Sequence, residues 1–253
     1  MTSADHAFAR RVVAQHATTA RLLGADCVPS FSPRGPVTAA EPATGPTPSG
    51  RDRGAAQAKL DEIRARYERD APHKHFVSEF QNIVFGEGDP CARLMFIGEA
   101  PGAEEDRTGR PFVGRAGELL ERMLTAMGIA RQEVYIANVL KTRPPDNATP
   151  TSDEAELCAP YLFDQIEAVA PEVIVTLGLP ATRLILRSTD NLSDMRAHWS
   201  QFVHPQTGFT VPVMPTFHPA FLLRQYTPEN RSKVWSDLQQ VMVRLGFPTR
   251  PGV

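Results

Sequence analysis

The stretch RLMFIGEAPGAEEDRTGRPFVG, residues 93–114, decides how this chain is read. Leu94, Met95, Phe96 and Ile97 form a short apolar run ending at Gly98, the pattern of a strand buried on both faces. The segment after it is unlike a simple turn. From Gly98 to Gly114 it holds four acids, four glycines, two prolines and one phenylalanine. A helix follows: in GRAGELLERMLTAMG, Leu119, Leu120, Met123, Leu124 and Met127 share one face, and Gly128 suits the C-terminal cap.

The alternation continues downstream. VYIANVL is a second strand. TSDEAELCAPYLFDQIEAVA is a helix opened by Thr151, with Glu154 three residues on as a capping box. PEVIVTLG is a third strand, followed by a helix from Pro180 to about Arg187. FTVPVMPTF is a fourth strand, weakened by its prolines. A last helix runs through TPENRSKVWSDLQQVMVRLG, starting at Thr227 or Pro228. Strands alternating with helices predict an α/β fold: a three-layer α/β/α sandwich around a four-stranded, mostly parallel sheet. Ligands of such sheets bind at the carboxyl ends of the strands.

Upstream, residues 5–24 read as a helix with Phe8, Val12, Val13 and Leu23 on a partial stripe, making 1–27 an N-terminal helical extension. Six prolines between Pro29 and Pro48 mark 28–58 as a linker. Residues 53–70, charged and Ala-rich, read as a solvent-facing helix, and the compact domain is set at 59–253. The formal charge of −2 gives no global attraction to nucleic acid, so any such binding needs a local basic patch. No apolar run reaches the ~20 residues that span a bilayer, and the N-terminus lacks a signal-peptide core. A cytoplasmic protein that contacts no membrane is expected. Cys27, Cys91 and Cys158 are scattered, odd in number and without a CxxC, so reduced thiols are expected. Neither GxGxxG nor GxxxxGK[ST] is present.

Three of the four loops at the strand ends carry polar or aromatic residues flanked by Gly or Pro. Each residue has a plain structural explanation. Acids 104–106 suit a solvated face, Phe112 suits a core, Asn138 a turn and His218 a loop. Their convergence on one edge of one sheet is what argues for a site.

Taken together, GEAPGAEED with GRPFVG, NVLKTRPPDN and TFHPAFLLR resemble the motifs of the family 4 uracil-DNA glycosylases, over about residues 83 to 246. The resemblance implies an enzyme that flips uracil out of single- or double-stranded DNA, hydrolyses the N-glycosidic bond and leaves an abasic site. It implies that Gly98 and Ala100 let backbone approach the base, that uracil stacks on Phe112, and that Asn138 reads its O4 and N3–H. Asn147 matches a further substrate-contacting position. His218 matches the histidine that donates to O2 of the departing uracil. Ala100 stands where better-known relatives carry the acid or amide that positions water, leaving Glu99, Glu105 and Asp106 as candidates for that role. Leu222 or Leu223 can wedge into the base stack, and Arg224, Lys141 and Arg143 can meet phosphates. A monomer is expected. A uracil- or DNA-binding homologue of little or no activity, and a glycosylase for another deaminated or mismatched base, are the alternatives.

In one respect the chain departs from that family, whose members usually hold a four-iron, four-sulfur cluster on four cysteines. Only the last of these is kept, as Cys158. Thr142 occupies the KCRPP position, and ERDAPHKHFVSEFQNIVFGEG has no cysteine. One thiol cannot ligate a cluster, so no cofactor is expected. His73 and His75 with Cys158 are a poor signal for zinc.

Overall fold

The computed structural model describes residues 50–77 and 79–248. The helix expected at 5–24 and most of the linker lie outside the described residues. In chain order the elements are α1 (Arg53–Asp70), β1 (Glu87–Gly88), β2 (Leu94–Gly98), α2 (Ala103–Thr108), α3 (Arg115–Met127), β3 (Tyr135–Asn138) and α4 (Ser152–Val169). Then come β4 (Val173–Leu177), α5 (Leu179–Leu186), α6 (Leu192–Met195), β5 (Ser200–Val203), β6 (Thr210–Thr216), α7 (Pro219–Arg224) and α8 (Pro228–Leu245).

The strands form one six-stranded sheet in the order β1-β3-β2-β4-β6-β5. The four expected strands are its parallel centre. The expected count of four is corrected to six by two short antiparallel edges, β1 on β3 and β5 on β6. Neither edge carries a readable period. β1 is two residues long, and β5 buries only Phe202.

Successive strand residues point to opposite faces, and both faces are covered. Met95, Ile97, Ala137, Ile174 and Val213 join Leu60 and Tyr67 of α1, Leu162 and Ile166 of α4, and Leu184 of α5 in one core. Leu94, Phe96, Ile136, Val175 and Met214 join Leu120 and Leu124 of α3, Leu222 of α7 and Val241 of α8 in the other. The middle layer is therefore apolar on both sides, as the unbroken apolar runs of β2 and β4 require.

α1 exposes most of its residues, as expected, but one narrow face docks. Leu60, Ile63 and Tyr67, spaced to lie on one face, are buried in the domain. Burial of such side chains is worth about 1.5–3 kcal/mol each. Asp52 caps its start through Gly54 and Ala55 N–H. Arg51 donates to the Val169 and Ala170 carbonyls at the end of α4 and to that of Cys91. Packed structure thus reaches back at least to Arg51, inside the stretch read as linker.

Candidate active site

The parallel register brings the strand ends into one row. Gly98 of β2 lies opposite Asn138 of β3, Ile97 opposite Thr176 of β4, and Leu177 opposite Thr216 of β6. The loops that follow therefore open side by side. At the centre, Gly98 permits a close approach that any side chain would block. A Cβ there would sit 2.4 Å from Asn138 Oδ1 and 2.5 Å from Phe112 Cζ. The Asn138 carboxamide and the edge of the Phe112 ring thus meet over bare backbone. Asn138 is buried, yet its Oδ1 has no hydrogen-bond partner. A buried, unpaired acceptor costs about 1–3 kcal/mol, a cost that a donor from a ligand would relieve.

Phe112 is held in a costly conformation. Its φ is +50°, a region that bulky residues rarely occupy. Such strain persists only where neighbours enforce it. Glu105 Oε1 accepts from Val113 and Gly114 N–H, and its Oε2 accepts from Gly102 N–H. Arg131 donates to the Pro111 and Phe112 carbonyls and is oriented by Glu87 of β1. Gly117 in α3 leaves room for the loop, since a Cβ there would lie 2.0 Å from the Phe112 carbonyl oxygen. The outcome is a ring pinned between Gly98 and His218, 5.6 Å from the imidazole centroid.

His218 caps α7. Its Nδ1 accepts from Ala220 N–H at 3.0 Å, so the single proton of the neutral ring sits on Nε2. Burial, helped by the nearby Arg224 guanidinium and opposed by Glu105, draws its pKa down to about 4. The ring is a neutral Nε2–H donor at physiological pH. The strand leading to it is anchored from behind, where Thr216 Oγ1 donates to Asp237 of α8, itself paired with Arg196.

The three acids separate by what they touch. Glu105 spends its carboxylate on backbone N–H groups, and Asp106 Oδ1 accepts from Gln81 and Asn82 N–H. Both serve the loop. Asp106 is buried, and these two backbone partners take up its Oδ1. Glu99 is half-buried at the end of β2. Its pKa is raised by burial, and the Thr149 hydroxyl and the Arg224 charge counter this in part. Arg224 acts on Glu99 and His218 alike, which puts all three on one rim. Ala100 packs against the core.

Two DNA-contact expectations are corrected. Lys141 is fully buried, because its ammonium is taken up by the Asn138 carbonyl and Gln165 Oε1. Leu222 is fully buried under α7. Leu223 is half-buried at the rim of the core, as are Phe217 and Phe221, and Arg224 is exposed. Asn147 is exposed on the loop that carries Thr149, and its Oδ1 accepts from Arg143. Arg131, Thr149 and Asp237 escaped sequence reasoning. Only Asp237 left a signal, as an acid on the apolar face of α8 between Val234 and Leu238.

The residues around Cys158 do not fit an iron–sulfur cluster. Among the described residues, no three His, Cys, Asp or Glu side chains converge on a metal-sized site. Cys158 instead faces Tyr67 of α1, which also approaches Thr142. The Tyr67 and Thr142 hydroxyls lie outside hydrogen-bond geometry. Tyr67 stacks on His73 at 5.4 Å and meets Tyr161 edge-on at 5.1 Å, and His73 packs on Phe80. Burial holds the thiol protonated, raising its pKa to about 11. An aromatic plug with one neutral thiol occupies this place.

The model of the uracil DNA glycosylase superfamily matches residues 85–239. The chain belongs to that superfamily. It is 44% identical to the type-4 uracil-DNA glycosylase of Thermotoga maritima over 63% of this chain and 81% of that protein. It is 43% identical to the type-4 enzyme of Archaeoglobus fulgidus, over 63% and 80%. It is 39% identical to that of Pyrobaculum aerophilum, over 71% and 90%. No helix among the described residues is long and apolar enough to cross a membrane.

Proposed function

We propose that this protein excises uracil from DNA, hydrolysing the N-glycosidic bond of a nucleotide flipped into the site between Gly98, Phe112, Asn138 and His218. The observation that carries the reading is the buried, unpartnered Oδ1 of Asn138 beside the Phe112 ring. Uracil presents N3–H as a donor, which pairs with that oxygen. Cytosine presents an acceptor at N3 and would leave both groups unpaired, a strong ground for discrimination. The Phe112 ring offers a stacking face worth about 1–3 kcal/mol.

Bond breaking sends charge onto the uracil ring, including O2. The neutral His218 donates Nε2–H to that oxygen, and a preorganised donor of this type is worth about 2.7–4 kcal/mol in rate. No proton needs to leave the imidazole. Glu99 faces the sugar side, where its carboxylate steadies the developing cation and orders the attacking water. Leu223 enters the stack vacated by the base, and Arg224 and Arg143 meet phosphates. Asn147 guides the strand past Thr149. No step passes through a cluster or metal, and the plug around Tyr67 and Cys158 serves packing alone.

The test is strand cleavage by alkali after incubation with a labelled oligonucleotide holding one uracil, single-stranded or opposite G or A. Wild type yields abasic sites, and Asn138→Ala and His218→Ala lose most of the rate. Folded wild-type protein that leaves every substrate intact would sink the reading.

A further inference from the structure

Lys141 has no route to a phosphate, and the excision chemistry does not use it. Its surroundings give it another task. Nζ donates to the Asn138 carbonyl at 2.7 Å and to Gln165 Oε1 at 2.5 Å, with the Phe85 ring 5.6 Å away. Gln165 cannot turn. Its Nε2 donates to the Phe85 carbonyl at 3.0 Å and to Tyr135 Oη at 3.3 Å, which commits Oε1 to the lysine. On its other side, the chain leaving β3 is tied to the end of β2, Val139 N–H donating to the Gly98 carbonyl at 3.0 Å and Leu140 N–H to the Glu99 carbonyl at 3.1 Å. The backbone of Asn138 is thus gripped from α4 through Lys141 and from β2 through Gly98. Its Oδ1 has no partner and lies over Gly98 beside the Phe112 ring.

We infer that Lys141, braced by Gln165, is a positioning residue that locks the backbone of Asn138 and so aims its carboxamide at the base. The inference rests on the proposed uracil reading. A fully buried lysine is an expensive way to hold one carbonyl. The expense is reasonable if misplacing the reader by a fraction of an ångström costs catalysis. The titratable group acting on this lysine is Cys158 of α4, which burial keeps protonated; burial also draws the lysine's own pKa down to about 7, and its Nζ keeps N–H groups to donate in either protonation state.

The experiment compares wild type, Lys141→Met, Gln165→Leu and the double variant. Single-turnover uracil excision is read beside the 15N–1H signals of the Asn138 carboxamide in the full chain. Methionine fills the volume of the lysine stem and removes the donor. The expected loss is about 10- to 100-fold in excision for Lys141→Met below pH 7, where the lysine is charged, the worth of a charge-assisted hydrogen bond, and less above it. The double variant should be no worse than the poorer single one, because both cut the same clamp. The Asn138 carboxamide signal should shift or broaden in each. Should Lys141→Met fail to fold, Gln165→Leu alone carries the test. Wild-type excision rates and an unmoved Asn138 signal in a folded variant would overturn the inference. If wild type itself excises nothing, the uracil reading fails, and the carboxamide signal still decides whether the clamp exists.

Discussion

Gly98→Ala tests the site with a single methyl group. The added Cβ would come within 2.4 Å of Asn138 Oδ1 and 2.5–2.6 Å of two Phe112 ring carbons. These are the far ends of side chains, so the backbone can stay while the two ends are pushed aside. Over-packing of this kind costs about 1–3 kcal/mol. Because the displaced atoms are the reader and the stacking face, that cost falls on the transition state as well as on the fold. At 1.36 kcal/mol per decade, excision should drop about 5- to 150-fold. Single-turnover excision from a uracil oligonucleotide measures the first effect, and thermal unfolding by circular dichroism the second. A folded Gly98→Ala protein that excises within twofold of wild type would refute the claim that Asn138 and Phe112 meet over Gly98 to form the site.

The remaining expectations follow from the same geometry. His218 has its pKa depressed from 6.5 to about 4, so the stability it confers as a neutral group is complete above 6.5 and is lost as pH falls toward 4. Excision should accordingly show no inflection from His218 between pH 6 and 8, and a profile of kcat/KM against pH checks this. Glu99→Gln should lower excision about 100-fold or more, the usual range for a group acting on the reacting centre, with folding intact by circular dichroism. Glu105→Ala unties three backbone N–H groups around Phe112, at about 1 kcal/mol or more each; a lowered melting temperature and a weakened excision rate should appear together. Purified protein should contain substoichiometric iron and lack a cluster absorption band, and Tyr67→Ala should destabilise it by about 3–5 kcal/mol in chemical denaturation, because a fully buried ring is removed.

Much of this is legible in the amino-acid sequence. Apolar runs of the β2 and β4 type, Thr151 with Glu154, and Thr227 before Pro228 are local signals, and their elements lie where local physics puts them. The juxtaposition of Gly98, Phe112, Asn138 and His218 is also legible, because they stand at strand ends or in the loops that follow, which parallel topology must bring together. What stayed hidden was the direction of side chains. Lys141 reads as a surface cation until Gln165, 24 residues on, turns out to hold it. Leu222 and Leu223 are adjacent and chemically identical, and only the rotation of a six-residue helix buries one and leaves the other at the rim. α1 reads as exposed because just three of its side chains dock, and its role is fixed by long-range contacts to α4 and Cys158.

The base released from DNA tests the central claim most directly. Uracil-containing duplex is incubated with the wild-type protein, and free bases are identified by mass. The account predicts uracil, in step with abasic sites, and no cytosine, because Asn138 Oδ1 pairs with a ring N–H that cytosine lacks. Release of cytosine, or no free uracil from folded protein, would contradict it.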